Sequence, residues 1–339
     1  PTSSLSEQEV DVLFNIMREL TATGISIVYI SHRLEELMRI GDFVTIFRDG
    51  KLVADAAVKD IDVPWIVKQM VGEGKSYPKR DVAVDWDKQE NVLEVKNLSL
   101  PKNGGGYLLN NVSFNLKKGE ILGIYGLLGA GRTEIFECIM GMRPNHTGDI
   151  ILNGKKIEIQ SVADQIDKGF AWLPEDRQRE GLVQTMSIAK NIALSNIGKY
   201  TNPLGLIDKN KEGTAEAEMI KDVHIKVADK DLPILSLSGG NQQKVVFAKG
   251  ALTNPQIMLL DEPSRGIDIG AKTEIFHLIY QYAKRGVSLL VISSELEEII
   301  AIADRILVLS NGIKTAELTG DDITQDNLVK ASYMGHKAN

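Results

Sequence analysis

The chain has 339 residues, 43% hydrophobic and 25% charged, with a net charge of −7. That length accommodates about two globular domains, and the acidic balance argues against wholesale nucleic-acid binding while leaving room for a local basic patch. The single cysteine, Cys138, excludes an internal disulfide framework and a cysteine-based metal site, and reads as a small buried apolar residue.

No run approaches the roughly 18 consecutive apolar residues of a membrane span, so any membrane role is expected to be peripheral and to act through a partner. The opening PTSSLSEQEV has neither a basic nor an apolar leader segment. It also lacks an initiating methionine, as expected of a fragment.

In chain order, the apolar spacing predicts a helix over about 7–22 and a β-rich run over 25–30. A helix opened by Ser31, an apolar run over 43–47 and a turn at Asp49-Gly50 follow. The same series recurs late in the chain: a helix over 270–285, a run over 287–292, a helix opened by Ser293, a run over 305–309 and a turn at Asn311-Gly312. The two copies align at constant offset without a gap. Gly24 meets Gly286, Leu34-Glu35-Glu36 meets Leu296-Glu297-Glu298, and Asp42 meets Asp304. Extended upstream, the offset sets Pro1 on Pro263.

Strands alternating with helices imply a mainly parallel α/β sheet. A unit with only two strands cannot bury both faces of such a sheet. Residues 1–72 are therefore expected to be the C-terminal part of a first domain. Residues 73–90, charged and aperiodic, read as a linker, and a second domain is expected over 91–332. It opens with β-rich NVLEVKNLSL and NVSFNL. It carries a helical subdomain over about 187–250, and 333–339 reads as a frayed tail.

Within the second domain, ILGIYG leads into GLLGAGRT, residues 126–133. A glycine-rich turn between strand and helix aims successive backbone N–H groups at an anion, helped by the positive end of the helix dipole. Gly126, Gly129 and Gly131 permit the tight turn, with Ala130 between the last two. Thr133 offers a hydroxyl to Mg²⁺, and Arg132 stands where the phosphate-loop pattern has lysine. By itself this segment is also compatible with a plain glycine turn. Downstream, QIMLLDEP is an apolar strand ending in Asp261 and Glu262, suited to orient Mg²⁺ and to polarise an attacking water; a solvated acidic turn is the alternative. LSLSGGNQQK, residues 235–244, places Ser238-Gly239-Gly240 at the start of a helix, again facing N–H donors outward, with Leu237 as a packing anchor.

With these residues the chain resembles the ATP-binding subunits of ABC transporters, over essentially its whole length. LSGGNQQK looks like the family signature, LLDEP like Walker B and SRGID like the D-loop. Together with PEDRQREGL, residues 174–182, they resemble the second half of the tandem ATPases of bacterial ribose-, galactose- and xylose-type importers. The resemblance implies a P-loop nucleotidase-type fold with an antiparallel β part and a helical signature subdomain. It implies ATP and Mg²⁺ as cofactors, with Gly126, Gly129, Ala130, Gly131, Arg132, Thr133 and Glu134 as the phosphate loop. Thr133 and Asp261 would attend the metal, and Glu262 would be the catalytic base. Leu237, Ser238, Gly239, Gly240, Asn241 and Gln242 match the signature, and Asp268 matches the D-loop aspartate. It further implies integral-membrane permease subunits, a sugar-binding protein acting outside the membrane, and a peripheral position on the cytoplasmic face.

Three positions depart from the family pattern. Arg132 replaces lysine, Glu175 stands where the Q-loop glutamine is expected, and Ser294 stands where the switch histidine belongs. The first copy keeps that histidine as His32, aligned with Ser294. Serine cannot span to a γ-phosphate as imidazole does, and a glutamate repels phosphate unless it is protonated or paired. Tyr107 is a weak candidate to stack on adenine. In the family, two nucleotide-binding domains pair head-to-tail, so residues 237–241 would serve the first domain's ATP beside His32. Arg132, Glu175 and Ser294 would then build a weaker, degenerate site. Two other readings stay open: a transport ATPase for nucleosides or a signalling sugar, and a soluble ABC ATPase acting on ribosomes or DNA. The short linker and acidic charge argue against the latter. The fragment alone is expected to be weak or idle.

Overall fold

The computed structural model describes residues 7–31, 34–48, 50–71 and 84–336. The chain divides into two compact units: Pro1–Ser76 with Asp268–Thr273, and Tyr77–Ile267 with Glu274–Asn339.

The first unit contains α1 (Glu7–Ala22), α2 (Leu34–Ile40), β1 (Phe43–Arg48), β2 (Lys51–Ala57) and α3 (Val63–Val71). Helix α1 buries the stripe Val10, Phe14 and Met17, the i, i+4, i+7 spacing of an amphipathic helix. Strands β1 and β2 form an antiparallel hairpin, with a register shift between Ile46 and Phe47.

The sequence predicts a β-rich run over 25–30, but these residues are not in a strand. Val28 is 92% exposed and Ile30 82%, whereas their counterparts Leu290 and Ile292 are 0% and 1% exposed. A strand is stabilised by its neighbours, because only they satisfy its backbone and cover its side chains. The later copy lies between two parallel partners. Among the described residues of the first unit, no strand pairs with 25–30.

The second unit begins with β3 (Asn91–Pro101), β4 (Tyr107–Lys117), β5 (Ile121–Gly126), α4 (Arg132–Ile139), β6 (Thr147–Leu152) and β7 (Lys155–Lys156). Then come α5 (Val162–Asp167), β8 (Phe170–Leu173), α6 (Ile188–Ala193), α7 (Lys209–Asp222), α8 (Gly239–Ala251) and β9 (Ile257–Asp261). Helix α9 (Ile269–Lys284), β10 (Ser288–Ile292), α10 (Leu296–Ile302), β11 (Arg305–Ser310), β12 (Ile313–Thr319) and α11 (Gln325–Ser332) complete the chain order.

A six-stranded sheet has the order β12-β11-β5-β10-β9-β8, and a four-stranded sheet has the order β4-β3-β6-β7. The first is parallel except for β12, and the second is antiparallel. Strands β5, β9, β10 and β11 are buried at every residue, as parallel strands covered on both faces must be. Leu98 and Val112 from one sheet, Phe136 from α4, and Leu259, Leu290 and Ile292 from the other share one core. The β11–β12 hairpin shifts register between Val308 and Leu309, the residues aligned with Ile46 and Phe47. The internal repeat therefore extends to an irregularity of the hairpin. Helices α6, α7 and α8 pack on one another, and the C-terminal ends of β5 and β9 present the glycine loop and the paired carboxylates.

Candidate functional site

Between β5 and α4 the chain turns through Leu127–Gly131. Gly129 (φ 78°) and Gly131 (φ 96°) occupy the left-handed region, where a side chain is disfavoured. The Ala130 N–H donates to the Leu127 carbonyl at 3.0 Å, closing the turn. Space is short as well: a Cβ on Gly131 would lie 2.7 Å from Leu109 Cδ2, and one on Gly126 would lie 2.5 Å from the Leu309 carbonyl oxygen. Gly126→Ala should therefore push β5 away from β11. The expected loss is about 1–3 kcal/mol in urea denaturation, the usual cost of overpacking. An unchanged midpoint would show that the strand pair has slack.

At the start of α4, the Thr133 hydroxyl donates to Asp261 Oδ2 at 2.8 Å. Asp261 is 1% exposed, and its Oδ1 is buried without a hydrogen-bond partner. Burial pushes its carboxyl up to about 7, opposed by the Thr133 hydrogen bond. Glu262 follows with φ 46°, unusual for a residue with a Cβ and a form of strain that clusters at functional sites. Its N–H donates to the Ile292 carbonyl at 3.0 Å. Its Oε2 accepts the Ser294 N–H at 3.0 Å and the Ser294 hydroxyl at 3.1 Å. Arg132 Nη1 stands 3.3 Å from Glu262 Oε1, yet has no aligned hydrogen bond, so the contact is an ion pair of charge rather than of geometry. Burial raises the Glu262 carboxyl too, against the pull of Ser294 and Arg132.

Arg132, Thr133, Asp261, Glu262 and Ser294 thus form one cluster. The unpartnered Asp261 oxygen beside a hydroxyl suits a hard divalent cation that takes its remaining ligands from phosphate and water. Among the described residues no group of three or more His, Cys, Asp or Glu side chains offers a closed cage. Glu134 lies in the first turn of α4, half-buried.

The signature residues gather at the start of α8. Ser238 caps the helix, accepting from the Asn241 N–H at 3.5 Å. Asn241 Nδ2 donates to the Ser238 hydroxyl at 3.2 Å, and its Oδ1 accepts the Lys226 N–H at 3.0 Å. Gln242 is buried: its Nε2 donates to the Leu237 carbonyl at 3.2 Å, and its Oε1 accepts from Gln178 at 2.6 Å. Its amide therefore braces the turn. Gly239 is half-buried and Gly240 buried. The Glu175 carboxylate pairs with Arg265, so its charge is compensated at the surface. Asp268 accepts the Ala271 N–H at 2.9 Å and caps α9. Tyr107 is 57% exposed at the start of β4. His32 lies outside the described residues. Sequence reasoning overlooked Arg177, Gln178 and Arg265; the one signal for them was a run dense in charge directly after a buried strand.

A family model described as ABC transporter matches residues 109–265. The chain is 43% identical over 338 residues to the ribose import ATP-binding protein RbsA of Oceanobacillus iheyensis, covering 99% of this chain and 66% of that protein. It is 40% identical over 333 residues to the xylose import ATP-binding protein XylG of Photobacterium profundum, covering 97% of this chain and 65% of that protein. The chain thus spans just under two thirds of the length of these relatives. Among solved structures, a nucleotide-free ATP-binding cassette from an ABC transporter superposes with a TM-score of 0.63 at 21% identity, covering 71% of this chain and 96% of that one. That likeness bears on fold alone: the ABC ATPase cassette, with its mainly parallel and antiparallel sheets.

Proposed function

Because the chain belongs to the ATP-binding proteins of ABC transporters, we propose that the full-length protein binds and hydrolyses ATP to energise a monosaccharide importer. The observation that carries this reading is the cluster at the ends of β5 and β9: a glycine loop opening a helix, with Thr133 hydrogen-bonded to an Asp261 whose second oxygen is buried and unpaired. Names of relatives for ribose and xylose import support the sugar class.

In this reading the loop amides of 129–133 hold phosphate oxygens, and Arg132 adds positive charge. Thr133 and Asp261 would hold Mg²⁺, which when bound neutralises phosphate charge. Glu262 orients water through a carboxylate fixed by Ser294. The signature turn 237–241 serves the ATP of the partner nucleotide-binding domain, paired head-to-tail. The site built on Arg132, Glu175 and Ser294 is the quieter one, since Arg132 is drawn to Glu262 and Ser294 is too short to take the role of a histidine. No helix among the described residues is long and apolar enough to cross a membrane. We place the protein on the cytoplasmic face, bound to permease subunits that a sugar-binding protein supplies from the other side.

Reconstitution of the full-length protein with its permease and binding protein in vesicles tests this. ATP-dependent uptake of ribose, xylose or galactose is the expected result. ATP turnover without uptake of any monosaccharide would contradict the transport reading.

A further inference from the structure

The turn Arg177–Gly181 belongs to neither the phosphate cluster nor the signature, yet it touches the surroundings of both. It is a wide π-type turn, a form that recurs at functional positions. Asp176 fixes its start: Oδ1 accepts the N–H groups of Gln178 at 3.0 Å and Arg179 at 3.2 Å.

Its contacts leave in two directions. Toward α8, Gln178 donates to Gln242, and Lys249 donates back to the Gly181 carbonyl. Val246 packs so closely that a Cβ on Gly181 would lie 3.0 Å from its Cγ2. In the other direction, Arg177 Nη1 donates to the Arg265 carbonyl at 2.7 Å and Nη2 to the Gly266 carbonyl at 3.1 Å. Those carbonyls lie in the loop that follows Asp261 and Glu262. The guanidinium also borders the signature turn: a Cβ on Gly239 would stand 2.9 Å from Nη2.

We propose that Arg177 is a positioning residue that couples the signature turn 238–240 to the loop following Glu262. The planar fork of arginine meets two carbonyls at once, which the single ammonium of lysine cannot do in the same geometry. A shift of the signature turn is therefore felt at 265–266 through one rigid group. The π-type turn is itself held to α8, so the coupling does not run through flexible chain.

The inference rests on the reading that the protein hydrolyses ATP, and its test keeps the two separable. In the full-length protein, Arg177→Lys and Arg177→Ala are compared with wild type by ATP kinetics. Amide hydrogen exchange over 239–241 and 265–267 is measured without nucleotide. Both Arg177 variants should lower kcat about tenfold with KM within about twofold, the pattern of lost positioning rather than lost binding. Exchange at 265–267 should rise. Wild-type kcat in both Arg177 variants, or unchanged exchange at 265–267, would each overturn the proposal. Absence of turnover in the wild type would instead refute the ATPase reading, and the exchange data would still decide for or against Arg177. Should Arg177→Ala fail to fold, Arg177→Lys carries the kinetic and exchange arms.

Discussion

Ser238→Arg in the full-length protein is expected to lower ATP turnover by about a hundredfold or more, the scale of losing donors aimed at developing charge. Ser238 lies at the N-terminus of α8, a helix of 13 residues whose first amides have no partner within the helix. In the proposed head-to-tail arrangement these amides would face the phosphates held by the other domain. An arginine here removes the cap and fills the space through which those amides reach an anion. Ser238→Ala separates the two effects. It removes only the capping oxygen, at about 1 kcal/mol of stability, and should reduce turnover far less. Turnover of Ser238→Arg within about threefold of wild type would remove this helix terminus from the nucleotide site.

Asp261→Asn is expected to act in opposite directions on stability and on nucleotide handling. The Asp261 carboxyl, pushed up to about 7 by burial, lies above its ordinary value of 3.8. A folded-state pKa that is raised contributes stability below the unfolded value and loses it as pH rises through the folded value. The nucleotide-free protein should therefore weaken between about pH 4 and pH 7 through this group. At pH 8 Asp261→Asn should gain roughly 2–4 kcal/mol, read as a higher denaturation midpoint without Mg²⁺ or nucleotide. The same variant should lose the Mg²⁺-dependent part of ATP binding, since the amide offers a neutral oxygen in place of the carboxylate. A destabilised Asp261→Asn would show that the carboxylate is compensated in the empty protein. The pattern expected is the trade between stability and function of a site that holds charge ready for a ligand.

The glycine turn, the paired carboxylates after a buried strand and the helix opened by Ser238 were legible in sequence because their geometry resides in the backbone or in adjacent residues. Gly129 and Gly131 do occupy the left-handed region, and a strand leading into carboxylates does place Asp261 beside Thr133. The repeat was legible for the same reason, down to matching hairpin irregularities at Ile46/Phe47 and Val308/Leu309. What escaped was set through space. The stretch 25–30 has the composition of a strand, but strand formation depends on partners that composition does not reveal. The ion pair of Glu175 with Arg265 joins residues distant in sequence, and it turns an apparently repulsive glutamate into a compensated one. Gln242 matches the signature in sequence, and burial sets its amide on Leu237 and Gln178. Ser294 shows a gain in the other direction. Read in sequence as a lost histidine, it proves to hold Glu262 by both N–H and hydroxyl.

The proposal that two unequal sites share the work makes hydrolysis depend on His32 and not on Ser294. Steady-state ATP turnover of full-length His32→Ala and Ser294→Ala, measured side by side, tests it most directly. A loss of about a hundredfold is expected for His32→Ala and of no more than about twofold for Ser294→Ala. Equal losses from the two variants would contradict it.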